Sequence, residues 1–98
     1  MRKWTVRNRY GNEIYLTQER WEYTLRYHSE LEGLLDDLLD TLRMGRRTQD
    51  PADPGKYKYC RQCDVLPLDY NAIVVVVKFS TCIQADGSFV PNNFVITA

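Results

Sequence analysis

The sequence predicts an α+β fold in which two N-terminal helices pack on one face of a three- to four-stranded antiparallel sheet. Two observations indicate this class. Apolar residues recur with a helical period between positions 18 and 44, and with the period of a strand after position 55. Helices followed by strands are typical of α+β domains. Because 98 residues suffice for one core but not for two ordinary domains, we expect a single domain over residues 1–98.

The first expected elements are an N-terminal arm and a helix. Two β-prone pieces flank a glycine-asparagine pair, which predicts an arm or hairpin over residues 1–16. Thr17 offers a side-chain oxygen for the N-cap of a helix that extends to His28. Trp21, Leu25 and His28 recur at the spacing of one helical face, so we expect this face to pack toward the core.

A second helix is expected directly after the first. Ser29 and Glu32 fit the capping box, in which each side chain accepts a hydrogen bond from the backbone amide of the other residue. Leucines recur on one side of this helix, and the repeat is too short for a coiled coil, which favours core packing. Gly45 is expected to end the helix. Residues 45–55 contain two prolines and two glycines, and they predict a surface loop.

Three strands are expected after this loop. The first alternates in polarity, so one of its faces carries Tyr57, Tyr59 and Arg61. The second, residues 73–79, contains four consecutive valines. Such a continuous apolar run is typical of a strand that is covered on both faces or lies at the centre of a sheet. An aspartate-glycine turn then precedes the last strand, residues 94–97.

Charge and hydropathy restrict the class of protein. Thirteen basic and thirteen acidic side chains cancel, which argues against binding of nucleic acid by bulk charge. Basic residues nevertheless gather near the start and between positions 43 and 61, which predicts one basic side suited to a phosphate-bearing ligand. No apolar run has the length of a membrane helix or the position of a signal peptide. We therefore expect a cytoplasmic protein with no membrane partner.

Cysteine usage argues against a metal. The chain has three cysteines, Cys60, Cys63 and Cys82. Because this number is odd and the sequence shows no export signal, we expect free thiols rather than disulfides. Together with His28 they supply the donor atoms of a Cys3His zinc site, but the second close-spaced ligand pair of such sites is missing. We expect neither a metal nor a cofactor, and a zinc-dependent module is the alternative.

Four segments together resemble a known group of nucleases: LTQERWEYTLRYHSELEGLLDDLLDTL, YKYCR, IVVVVKF and FVITA. In this order they resemble the small phage and bacterial domains grouped with barnase, EndoU, the colicin tRNases and RelE, called the BECR fold. The resemblance covers about residues 14–98. It implies helices that precede a four-stranded antiparallel sheet, and a metal-independent ribonuclease that acts as a toxin or phage-derived effector. It also implies an antitoxin or immunity protein as a partner.

Four residues are candidates for catalysis. Cleavage of RNA through a cyclic phosphate requires a base, an acid and a cation near the phosphorus. His28 is the expected proton carrier, since histidine ordinarily titrates near neutral pH and the C-terminal end of a helix favours a cation. The alternative for His28 is a cap on the first helix. Arg61, Lys78 and Thr97 are expected to contact the phosphate. The residues expected to bind the substrate are Tyr57, Tyr59, Lys58, Arg46 and Arg47.

Two features depart from the family pattern. Ser29 follows His28 where relatives commonly have proline, and the residues that usually follow the threonine-alanine pair are absent. The alternative function is therefore that of a catalytically inactive member, which binds RNA or a protein. Convergence of the four catalytic candidates distinguishes the two functions. A separation beyond roughly 8 Å between His28 and all three others would argue against catalysis.

Overall fold

The structure is a computed structural model that describes residues 2–62 and 72–98. The α-helices in these ranges are α1 (Gln18–Tyr27) and α2 (Leu35–Met44). The strands there are β1 (Lys3–Arg7), β2 (Glu13–Thr17), β3 (Arg46–Gln49), β4 (Lys56–Gln62), β5 (Ala72–Lys78), β6 (Thr81–Ile83), β7 (Phe89–Pro91) and β8 (Phe94–Thr97). Within the described residues, six strands form one sheet in the order β1-β2-β8-β5-β4-β3, and β6 pairs with β7 in a second sheet.

The predicted sheet of three to four antiparallel strands behind two N-terminal helices is wrong. The described sheet has six strands and is mixed, because β2 runs parallel to β8 where Tyr15 lies opposite Phe94. A hairpin of β1 and β2 precedes the helices and adds Ile14 and Leu16 to the core. The protein is therefore a sheet-dominated α+β fold rather than a pair of helices followed by a small sheet.

The predicted surface loop at residues 45–55 is wrong in its first half. Arg46–Gln49 forms the edge strand β3, which pairs with β4 in antiparallel register. The segment does not alternate between apolar and polar residues, which is why its pattern does not predict a strand. At the edge of a sheet, backbone hydrogen bonds to the neighbouring strand hold such a segment without an apolar face. The second half does turn back on itself, since the amide of Lys56 donates to the carbonyl oxygen of Asp53 over 2.9 Å.

The two helices differ in how they begin. Thr17 caps α1 as predicted, because its Oγ1 accepts a hydrogen bond from the amide of Arg20 at 3.1 Å. The predicted capping box is wrong: Ser29–Leu31 forms a single 3₁₀ turn without a side-chain cap, and α2 starts only at Leu35. Gly33 separates the two elements, since its φ of +81° belongs to the left-handed region that glycine adopts readily.

Both described helices pack on the same face of the sheet. Leu38 and Leu42 of α2 are fully buried in one cluster with Val75 at the centre of the sheet, and Trp21 of α1 belongs to the same cluster. The predicted role of the leucine stripe in the core is confirmed. On β5 burial alternates, and Val74 is 41% exposed, so the valine strand lies centrally but is covered by helices on one face only. Neither helix in the described part of the chain is long and apolar enough to cross a bilayer.

The strands β6 and β7 form a short hairpin between β5 and β8. Its turn lies at the predicted aspartate-glycine pair, where Gly87 has a φ of +85° and the amide of Gln84 donates to the carbonyl oxygen of Ser88. Ile83 and Phe89 lie opposite each other across this hairpin and are 66% and 68% exposed. The hairpin therefore adds little to the core, and β7 instead forms one side of a groove.

Candidate nucleic-acid interface

The register of the sheet defines the face that the helices leave uncovered. Cross-strand partners point to the same side, so the residues between the buried positions share the opposite face. We call this surface the open face. Its described side chains are Lys3, Thr5, Arg7, Glu13, Tyr15, Thr17, Arg46, Thr48, Lys56, Lys58, Cys60, Gln62, Ala72, Val74, Val76, Lys78, Phe94 and Thr97.

Cations dominate the open face. All four lysines of the chain lie on it with two arginines, and the described acids at this face are Glu13 and Asp53, which binds Lys78 from the loop before β4. Helical residues 18–44, on the other side of the sheet, carry seven acidic side chains and three arginines, and Arg47 and Arg61 of the sheet also point to that side. The fold therefore converts a net charge of zero into a basic face and an acidic layer.

Four of these cations form no ion pair with a described residue. Arg7 pairs with Glu13 at 3.7 Å, and Lys78 pairs with Asp53 at 2.7 Å. Within the described ranges, no ion pair involves the remaining open-face cations, Lys3, Arg46, Lys56 and Lys58. Exposed amino and guanidinium groups without a carboxylate partner are the groups that bind phosphate.

Asp53 restrains the lysine at the end of β5. Both of its carboxylate oxygens accept hydrogen bonds from Lys78 Nζ, at 2.8 and 2.7 Å, and Oδ1 also accepts from the amide of Gly55. The hydrogen bond from Lys78, and then that from Gly55, hold the pKa of the Asp53 carboxyl below its usual range. Asp53 also offsets the repulsion between Lys78 and its cross-strand partner Lys56.

Two aromatic rings lie side by side on the open face. Tyr15 and Phe94 are cross-strand partners, with ring centroids 6.1 Å apart and a tilt of 40° between the rings. The Tyr15 hydroxyl donates to Asn92 Oδ1 at 2.9 Å, which fixes the orientation of the ring. Lys3 Nζ lies 4.8 Å from the centroid of Tyr15. This part of the open face therefore combines planar apolar surface with an exposed cation.

A groove runs beside the aromatic pair. It has a volume of about 490 Å³ and lies between the open side of β1 and β2 and the strand β7. Lys3, Thr5, Arg7 and Tyr15 line one side, and Pro91 of β7 lines the other. Sequence reasoning missed Tyr15 and Phe94, although the alternation Glu-Ile-Tyr-Leu-Thr in β2 carries a signal: if Ile14 and Leu16 are buried, Tyr15 must point away.

The predicted substrate-binding residues fall on both faces. Lys58 and Arg46 lie exposed on the open face. Tyr59 is fully buried, and its hydroxyl accepts hydrogen bonds from Asn8 at 2.6 Å and from Arg47 at 3.4 Å. Burial raises the pKa of this phenol above its usual value, with hydrogen bonds from Arg47 and Asn8 acting in the opposite direction. No surface of Tyr59 is left for a base.

Arg47 and Tyr57 are held on the helix side of the sheet. The Arg47 guanidinium lies over the ring of Tyr10 at 4.0 Å and of Tyr57 at 4.8 Å, and it donates to Asn12 Oδ1 at 3.0 Å. The ring of Tyr57 also packs against Phe79. These contacts tie the tip of the β1–β2 hairpin to the edge of the sheet, so both side chains have structural partners.

The predicted catalytic histidine lies near the opposite end of β5 from Lys78. His28 ends α1, and its side chain is 45% exposed, with Nδ1 at 3.2 Å from Glu30 Oε1. It lines a cleft of about 250 Å³ together with Glu30, residues 72–74 and Ala98. Lys78 is five residues along β5 from Ile73 in this cleft, which corresponds to roughly 16 Å.

The remaining two catalytic candidates, Arg61 and Thr97, point to opposite faces of the sheet. Arg61 lies opposite Ile73 in the sheet, one strand from the cleft, but its guanidinium donates to the backbone oxygen and the carboxylate of Asp37 at 3.3 and 3.4 Å. A β-bulge in β8 sets Thr97 opposite Val76, which places the threonine on the open face. The structure thus brings Arg61 toward the His28 cleft and separates Lys78 from it, while Thr97 directly precedes Ala98 of the cleft and lies on the open face.

In residues 2–62 and 72–98, no group of three or more histidine, cysteine, aspartate or glutamate side chains is arranged to hold a metal ion. Cys60 lies on the open face and Cys82 on β6, and Cys63 lies outside the described residues. Comparison with family models, curated proteins and solved structures gave no match. The resemblance to BECR nucleases therefore stays a prediction.

Proposed function

We propose that this protein is a cytoplasmic RNA-binding module that contacts RNA through the open face. The observation that carries the proposal is the separation of charge by the sheet. Four cations without described carboxylate partners share one face with two aromatic rings, and the acids gather on the helix layer. The free, exposed thiols of Cys60 and Cys82 support a reducing compartment.

Electrostatics explains how a chain of zero net charge binds a polyanion. Phosphates approach the cationic face, and because the sheet lies between them and the helix layer, the acids are held away from the contact. Each phosphate that a lysine or arginine neutralises releases counterions, with a salt slope of about −0.7 per contact for single strands. Four contacts by Lys3, Arg46, Lys56 and Lys58 therefore predict a slope of about −3.

Charge reversal on β4 tests the proposal. We expect Lys56→Glu/Lys58→Glu to weaken binding of a short fluorescein-labelled RNA in fluorescence anisotropy. Its salt slope should be less steep than that of the wild type by about 1.4, because two phosphate contacts are lost. The matched control is Arg20→Glu/Arg26→Glu, which makes the same change of charge on α1. Equal slopes for the two double variants would contradict an interface on the open face.

We propose a metal-independent endoribonuclease as the second candidate function, on the basis of the His28 cleft. A half-exposed imidazole beside the Glu30 carboxylate is a pair suited to proton transfer, and Arg61 lies one strand away. In this case the protein acts as a toxin or phage-derived effector, with an antitoxin or immunity protein as its partner.

The test of cleavage uses total RNA in the presence of EDTA. Purified wild-type protein should produce fragments with cyclic phosphate ends, and His28→Ala should not. Equal cleavage by the two proteins would exclude His28 as the essential proton carrier. Binding of intact RNA without any cleavage by the wild type would favour the RNA-binding module over the nuclease.

A further inference from the structure

The groove beside Tyr15 provides two kinds of contact that only an unpaired nucleotide can use together. Its volume of about 490 Å³ lies within the range of small-ligand sites. Lys3 lines it as a cation, Arg7 and Glu13 line it as an ion pair with a separation of 3.7 Å, and Tyr15 and its neighbour Phe94 provide ring surface. In a duplex the bases are already stacked on one another, so the protein meets phosphates, 2′-hydroxyls and groove edges but no free base face. In a single strand the bases are free to stack on aromatic side chains.

The aromatic pair is fixed before RNA arrives. Tyr15 is held by its hydrogen bond to Asn92, and the ring of Phe94 packs against it at a centroid distance of 6.1 Å, so ordering these rings on binding costs little entropy. Lys3 is different, because it is exposed and its long side chain rests against the ring of Tyr15. A flexible lysine can leave the ring and pair with the adjacent phosphate when a base takes its place.

From these contacts we propose that the open face is selective for single-stranded RNA, whose bases stack on Tyr15 and Phe94 beside the groove. This inference rests on the proposed RNA-binding function and specifies its substrate class. The lysines of β4 then supply affinity for any phosphate backbone, and the aromatic pair supplies the preference for unpaired strands. Because stacking is tolerant of sequence, the preference is for single strands as a class and not for one base.

The test compares a single-stranded RNA with the same sequence closed into a duplex. Fluorescence anisotropy measures the two affinities at one salt concentration for the wild type, Tyr15→Ala and Phe94→Ala. Loss of one stacked base lowers affinity roughly 5- to 150-fold, so we expect a loss of this size for the single strand and little change for the duplex. Tyr15→Phe keeps the ring and should retain the preference.

A matched control comes from a second aromatic pair. Tyr23 and Tyr27 lie on α1 with ring centroids 4.9 Å apart, and both are exposed on the acidic layer. Tyr23→Ala and Tyr27→Ala should leave both affinities unchanged. A second readout uses the wild type alone and does not depend on how any variant folds: 2-aminopurine placed in the single strand should lose fluorescence on binding as it stacks on a ring.

The outcomes separate this inference from the proposed function. Equal affinity of the wild type for single strand and duplex would overturn the stacking inference, and so would an unquenched 2-aminopurine in the complex. If Lys56→Glu/Lys58→Glu still reduced the salt slope in that case, the RNA interface itself would stand. Absence of binding to either RNA would overturn both. A single-strand preference that Tyr15→Ala removes and Tyr23→Ala retains supports the inference.

Discussion

Replacement of Tyr59 by phenylalanine removes one oxygen from the interior and tests how the hairpin tip is fastened to the sheet. The Tyr59 hydroxyl accepts a hydrogen bond of 2.6 Å from the Asn8 side chain, and Asn8 itself is only 5% exposed. The other acceptor near this amide is Asn12 Oδ1, at 3.5 Å. In Tyr59→Phe the Asn8 amide therefore keeps only a long hydrogen bond in a buried place.

The expected loss of stability in Tyr59→Phe follows from that unsatisfied donor. A buried polar group that loses its partner destabilises a protein by roughly 1–3 kcal/mol, and the weak second acceptor places Tyr59→Phe at about 2 kcal/mol. Arg47 loses a longer contact of 3.4 Å and keeps Asn12. For a domain of this size, 2 kcal/mol corresponds to a fall in Tm of roughly 8 to 16 °C.

Thermal unfolding followed by circular dichroism measures this loss, with Tyr27→Phe as the control because Tyr27 is 64% exposed. The pH dependence adds a second check. Burial raises the pKa of Tyr59 in the folded state, so its contribution to stability is complete below the ordinary tyrosine pKa of about 10 and is lost as the pH rises further. Tyr59→Phe should therefore lose less stability in alkali than the wild type. If Tyr59→Phe unfolded at the same Tm as the wild type, the argument from the unsatisfied Asn8 donor would be refuted.

Two further predictions concern the backbone and the restrained lysine. Gly33→Ala should destabilise the protein by about 1 kcal/mol in urea denaturation, because its φ of +81° is strained for alanine although no atom lies within 4 Å of the added carbon. A gain in stability would show that this backbone is not strained. Asp53→Asn should release Lys78 for phosphate, so that the salt slope of RNA binding becomes steeper by about 0.7 in anisotropy measurements. A slope that stays the same would place Lys78 outside the contact.

Elements set by local signals were predictable from the sequence. The Thr17 cap, the helix after it and the leucine stripe of α2 depend on neighbours within a few positions, and the structure confirms them. The 3₁₀ turn at Ser29 shows the limit of such signals. The capping-box pattern is present, but the left-handed backbone at Gly33 delays the helix by several residues.

Elements set by distant partners were not predictable. Strand β3 is polar throughout and exists because β4 offers it a pairing edge, and the parallel contact of β2 with β8 joins Tyr15 to Phe94 across most of the chain. The aromatic pair of the candidate site depends on that contact. The clustering of charge predicted one basic side, but the sheet divides the clusters, with Lys56 and Lys58 on the open face and Arg47 and Arg61 on the helix side. The separation of Lys78 from His28 follows from the direction of β5.

Lysine footprinting tests the RNA interface most directly, because all four lysines of the chain lie on the open face. Acetylation of the protein with and without saturating single-stranded RNA, read by mass spectrometry, gives the protection of each side chain. A parallel reaction with an arginine reagent reports on Arg20 and Arg26 of α1. We predict strong protection of Lys3, Lys56 and Lys58, and none of the two arginines. Protection of the helix arginines with lysines that stay reactive would contradict the proposed interface.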